Sequence, residues 1–151
     1  MGGLEGFVRA GNTVNSEIIG VFSGVKRSWE ARVGSSYLLA HLLNFAAFGG
    51  MCGYVARQDE TPAGIMAFGV AYTADLMRNV CRDSEKPWNM TAKTLTWFTR
   101  APTAAAAVYY LSSAVVNAAQ MRENPALVKD CVDDMFLAYS TLCLTASMSV
   151  K

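Results

Sequence analysis

Histidine is nearly missing from this sequence: His41 is the only imidazole in 151 residues. A zinc site built from this chain alone is therefore not expected, because such sites draw on several His or Cys ligands. The four cysteines, Cys52, Cys81, Cys131 and Cys143, include no CxxC pair and no metal-ligand spacing. They read as small hydrophobes rather than as ligands or a disulfide framework.

Charge is scarce as well. Asp, Glu, Lys and Arg make up 17% of the chain, against roughly 25% in ordinary soluble domains. The net charge of +1 removes the basic stripe that nucleic-acid binding requires, so no nucleic-acid partner is expected. Motif searches are equally empty. No GxSxG, no HExxH, no GxGxxG and no phosphate loop ending in GKS or GKT occurs, so an enzyme is not expected.

The first nine residues carry no basic patch followed by an apolar run, and Glu5 and Glu17 interrupt any acid-poor transit peptide. Gly2 follows Met1 as in a myristoylation start, but position six is Gly6 rather than Ser or Thr.

What the chain does contain is apolar sequence between clustered charges, with a mean hydropathy of +0.22. Residues 33–56 and 101–121 carry no formal charge and are bracketed by Arg32 and Arg57 and by Arg100 and Arg122. As helix they measure about 36 and 32 Å, enough to cross a hydrocarbon core of roughly 30 Å. Two weaker segments follow the same logic. Residues 62–81 stay uncharged through Ala74 and then admit Asp75 and Arg78, and residues 130–150 lose charge from Met135 onward. Proline at the opening of an apolar run, in Thr61-Pro62, Ala101-Pro102 and Asn124-Pro125, suits a first helical turn, and Thr61 and Asn124 can cap.

These signals predict one all-α membrane domain: an integral membrane protein of about four transmembrane helices in two hairpins, with an amphipathic arm over residues 1–30. In the arm, Leu4, Val8, Val14, Ile18, Phe22, Val25 and Trp29 recur at mostly helical spacing. Residues 82–100 read as an interfacial loop with aromatic anchors. Under this topology ten of thirteen basic residues fall on the side of both termini and the middle loop. The positive-inside rule then puts both termini in the cytoplasm or, for a mitochondrial inner membrane, the matrix.

Candidate residues follow from that frame. Gly49 and Gly53 form GxxxG, Ala46 and Gly50 repeat the spacing, and Ala63, Ala67, Ala71, Ala106, Ala107, Ala114 and Ala118 keep the other helices narrow. Small residues let membrane helices approach closely. Ser113 and Asn117 can add an interhelical hydrogen bond. Asp75 and Arg78, one turn apart, can form an intramembrane ion pair. Arg78, Arg82, Lys86 and Lys93, with Trp88 and Trp97, are candidates for holding an anionic, cardiolipin-like phospholipid headgroup. His41 is a candidate haem or quinone contact, against the plainer alternative of a hydrogen bond to a neighbouring helix. Asp130, Asp133 and Asp134 read as a solvated acidic face suited to a helix N-terminus.

The expected function is a non-catalytic accessory subunit of a larger membrane complex, such as a respiratory-chain or ATP-synthase assembly, with no cofactor of its own. Its partners would be other membrane subunits and lipids. A small homo-oligomeric transporter or channel, a membrane anchor beside a haem or quinone pocket, and a soluble helical bundle are the alternatives.

Overall fold

The computed structural model describes residues 2–58, 63–80 and 87–150. Five helices form and, among the described residues, no strand: α1 (Gly2–Val33), α2 (Ser36–Val55), α3 (Ala63–Val80), α4 (Pro87–Gln120) and α5 (Leu127–Ser149). The all-α expectation holds.

Local chemistry sets the first boundary. Gly34 takes φ +79, a left-handed conformation that side chains resist, and its N–H closes α1 on the Glu30 carbonyl at 2.9 Å. Ser35 then caps α2 by accepting from the Leu38 N–H, and the Trp29 indole donates to the Ser35 carbonyl at 2.9 Å. The uncharged run of residues 33–56 is thus cut short, leaving 20 helical residues. At the other turn, Asn124 accepts from the Ala126 N–H at 3.2 Å, and α5 begins only at Leu127. Thr61 and Pro62 lie outside the described residues.

The third expected span needs correcting. Residues 82–100 are not a loop in their described part: α4 runs unbroken for 34 residues with Pro102 inside it. Proline removes the bond to the carbonyl four residues back and costs about 3 kcal/mol in a helix interior. Packing against α3 and α5 carries the helix through that turn.

Helices α2, α3, α4 and α5 form an antiparallel ring in the spatial order α2, α5, α4, α3. Between α2 and α5 the approach is close because Gly50 and Gly53 lack side chains. A Cβ at Gly53 would stand 2.7 Å from the Phe136 ring, and one at Gly50 would meet Tyr139 and Ser140. The apolar core gathers Ala47, Met51, Tyr54, Phe68, Ala71, Leu144 and Met148.

Helix α1 packs along the first half of α4 and past the end of α5 to the start of α2. Its inner stripe is Gly11, Asn15, Ile18, Phe22 and Trp29, whereas Leu4, Val8, Val14 and Val25, expected on that face, are exposed. A 32-residue helix is longer than the surface it meets.

Polar side chains share the interior with the apolar core, and large apolar side chains lie on the outside. Asn44, Asp75, Asn79, Thr96, Arg100, Thr145 and Ser147 are buried, while Leu38, Leu42, Phe45, Phe48, Val70, Val108, Leu111 and Val115 are exposed. Among the described residues, α2 alone is long and apolar enough to cross a membrane by itself, and only 33% of its apolar window is buried. The expected count of four spans therefore reduces, as a finding, to one helix that meets the requirement. Charged and hydroxyl side chains lower the hydropathy of the others.

Candidate functional site

The most concentrated polar chemistry lies inside the bundle, at the end where α2 begins and α3 and α5 finish. Asp75 of α3 is fully buried. The Asn44 amide of α2 donates to its carboxylate at 2.5 Å. The Ser147 hydroxyl of α5 stands 2.6 Å from the same oxygen and 2.9 Å from the Ala40 carbonyl. A hydroxyl has one proton and these are two acceptors, so Ser147 serves one at a time. Three helices converge on a single carboxylate.

Arg100 of α4 forms the adjoining half. Its Nη1 donates to Asn15 of α1 at 2.8 Å and its Nη2 to the Met148 carbonyl of α5 at 2.7 Å. Asn15 is itself fixed, because its amide donates to the Gly11 and Trp97 carbonyls. Burial brings the Arg100 pKa down to about 10; Arg78 pushes the same way and Asp75 opposes. The guanidinium keeps its proton at neutral pH.

Four buried atoms in this region have no protein hydrogen-bond partner: Asn44 Oδ1, both amide atoms of Asn79, and Arg100 Nε. Buried polar atoms of this kind are costly, and in low dielectric a partly satisfied network is sensitive to any further loss.

The expected residues fall out as follows. Asp75 and Arg78 both stand on α3, but Asp75 is held across the bundle by Asn44 and Ser147, while Arg78 is half-buried and faces the field of Arg100. His41 is half-buried on α2, three residues before Asn44. Lys93 is exposed. Trp97 donates from its indole to Asn12 at 2.9 Å and packs edge-on against Phe7, so it clamps α1 to α4. Arg82, Lys86, the Trp88 side chain and the Ala63 side chain lie outside the described residues.

Among the small residues, Ala46 lies against the core and Gly50 and Gly53 make the α2–α5 contact, whereas a Cβ at Gly49 would meet nothing within 4 Å. Ala114 is buried, and its carbonyl accepts from Cys131 Sγ at 3.4 Å. Ala67 and Ala118 are exposed. On α3 the buried small residues are Ala71 and Ala74.

The acidic face divides. Asp130 is exposed as expected, but Asp133 is buried and takes Arg57 Nε at 2.7 Å and Gln58 at 3.0 Å. Asp134 accepts from Ser113 at 2.6 Å and Asn117 at 2.9 Å. The interhelical bond expected of Ser113 and Asn117 thus exists, with Asp134 as its acceptor. Successive residues on a helix point about 100° apart, so neighbouring aspartates address different helices.

Sequence reasoning missed Asn15, Asn44, Asn79, Arg100 and Ser147. For Asn44 a signal was available: it is a strongly polar side chain in the middle of the most apolar stretch, where burial among helices is the economical solution. Among the described residues, no three His, Cys, Asp or Glu side chains gather as a metal-binding group.

Comparison with protein-family models, with curated proteins and with solved structures finds no match for this chain.

Proposed function

We propose that this chain is a non-catalytic, membrane-embedded subunit that scaffolds a larger membrane complex through helix and lipid contacts. The observation that carries the reading is the exposed apolar face of α2, with Leu38, Leu42, Phe45 and Phe48 outside, while amides, hydroxyls and a carboxylate are buried beside the apolar core. In water, each half-exposed side chain of that size forgoes roughly 1 kcal/mol of burial, and monomeric soluble proteins rarely show so continuous an apolar surface. In hydrocarbon the same surface is at no disadvantage, and the polar groups gain from being inward.

On this reading α3, the second half of α4 and α5 accompany α2 through the bilayer, their charges paired or directed to the boundaries. The basic asymmetry supports both termini lying on the matrix side of a mitochondrial inner membrane, where respiratory-chain and ATP-synthase assemblies offer suitable partners. The long, partly uncovered α1 suits docking to such a partner or to the interface.

Two fractionations test it. After alkaline carbonate extraction the chain is expected in the membrane pellet, and after mild detergent it is expected in a high-mass band on blue-native electrophoresis. A soluble chain overturns the membrane reading, and a lone monomer overturns the scaffold reading.

A second reading, a small homo-oligomeric transporter, draws support from the polar centre, since buried ionisable groups in membranes often line a route. Reconstituted cation or proton flux that is abolished in Asp75→Asn would favour it over the scaffold.

A further inference from the structure

Asp75 is the most deeply buried ionisable side chain among the described residues, with no exposure to solvent. The hydroxyl beside it sets up a choice. Ser147 Oγ stands 2.6 Å from Asp75 Oδ2 and 2.9 Å from the Ala40 carbonyl, both within hydrogen-bond reach. While Asp75 is ionised, the single hydroxyl proton turns to one of these oxygens and leaves lone pairs facing lone pairs at the other.

One added proton removes the conflict. Carried on Asp75 Oδ2, it is donated to Ser147 Oγ, Ser147 donates in turn to the Ala40 carbonyl, and Oδ2 still accepts from the Asn44 amide. All three bonds form at the distances already present. A proton needs no cavity, whereas a metal ion would have to part oxygens that already touch, and Asn44 meets the carboxylate with its N–H rather than its oxygen.

The surrounding charges support both states. On α3 itself, Tyr72 and Arg78 stand one turn to either side of Asp75. Helix α2 contributes His41, one turn before Asn44, and α5 contributes Cys143, one turn before Ser147. From α4 the field of Arg100 reaches Asp75, but its Nη1 and Nη2 are spent on the neutral oxygens of Asn15 and Met148. Arg100 thus favours the ionised carboxylate from a distance, and the Ser147 relay favours the neutral acid by contact.

We propose that Asp75 is a reversible proton-binding site: hydronium at that end of the bundle gives up a proton, Asp75 Oδ2 takes it as a new O–H bond, and Ser147 turns its own proton to the Ala40 carbonyl. Uptake adds a hydrogen bond between α5 and α2, so the charge on one carboxyl sets how firmly those helices are joined. The inference concerns the interior of the bundle and requires no flux across a membrane, so it goes beyond both readings above.

The full-length protein, purified in mild detergent, is taken between about pH 8 and about pH 5 and followed by infrared difference spectroscopy and thermal unfolding. As the pH falls, the wild type is expected to gain the carbonyl stretch of a neutral carboxylic acid. Its Tm is expected to rise by about 5 °C over the same interval, because the folded chain holds the proton more firmly than the unfolded one. Asp75→Asn keeps an acceptor but cannot titrate, and is expected to lose both the band and the rise in Tm. Ser147→Ala removes the partner of the acid O–H and is expected to move the band to higher frequency. His41→Gln removes the imidazole, which titrates in the same range, and is expected to keep both signals.

A wild type without the band, a band that persists in Asp75→Asn, or a pH response that disappears in His41→Gln overturns the site. If Asp75→Asn fails to fold, Ser147→Ala decides: a band at the wild-type frequency overturns the relay, and a shifted one supports it. Recovery of the chain in the aqueous carbonate fraction overturns the membrane reading and leaves this site standing.

Discussion

Asn44 donates to the Asp75 carboxylate at 2.5 Å across 31 residues of sequence, a hydrogen bond that joins two helices at fully buried positions. Ser147 brings a third helix to the same oxygen. Asp75 is the shared acceptor of both donors, so its loss leaves more groups without a partner than the loss of either donor, which gives the substitutions a definite order.

Asn44→Ala removes one donor from Asp75 and is expected to destabilise the bundle by about 1–3 kcal/mol. Asp75→Ala removes the common acceptor and leaves Arg100 without its nearby negative field, with a cost toward 3–5 kcal/mol. Asp75→Asn keeps an oxygen for Asn44 and costs least. Thermal unfolding in detergent, followed by circular dichroism, ranks the three. An Asp75→Ala protein as stable as the wild type would remove the polar centre from the account of the fold.

Arg100 ties α1 to the bundle through Asn15 while it holds the Met148 carbonyl. Arg100→Ala and Asn15→Ala are each expected to speed proteolysis at the α1–α2 junction around Gly34. The double variant should be faster than Arg100→Ala alone but by less than the product of the two single effects, because both changes remove the Arg100–Asn15 bond and only Asn15→Ala also removes the bond to the Trp97 carbonyl. Cleavage rates that simply multiply would mean that the two residues hold α1 independently.

Glycines on α2 differ by face. Gly53→Leu drives a side chain into the Phe136 ring and is expected to cost about 1–3 kcal/mol. Gly49→Leu meets open space and is expected to leave the melting temperature of the isolated chain unchanged. If Gly49→Leu also dissociates a native high-mass band, that outer glycine faces a partner subunit.

Pro102 interrupts the hydrogen-bond ladder of α4 where the helix is continuous. Pro102→Ala restores an N–H for the Phe98 carbonyl, and stability should rise by about 1 kcal/mol or more. Hydrogen exchange should slow at the turn around residue 102. Unchanged exchange there would mean that the surrounding packing already compensates.

Much of the architecture was readable in advance. The charge-free run of residues 33–56 became α2 once Gly34 and Ser35 trimmed its start, and the run of residues 101–121 became the second half of α4. The arm appeared as a separate helix, with Ile18, Phe22 and Trp29 turned inward. Pro102 misled because proline at the start of an apolar run and proline tolerated inside a packed helix look alike in sequence. Gly49 and Gly53 looked like one motif, but helix rotation turned Gly50 and Gly53 to α5 and left Gly49 outside.

Hydropathy and charge spacing are properties of consecutive residues, so the sequence by itself determined the apolar helical segments, the helical arm and the low density of charge, but not the extension of α4 back to Pro87. The partners of Asp75, Arg100, Asp133 and Asp134 depend on how far each helix is turned and shifted against its neighbours. That choice is made by the fit of small residues such as Gly50, Gly53, Ala71 and Ala114 against bulky ones on facing helices. Only the tertiary structure decided it, because such contacts join residues far apart in the chain.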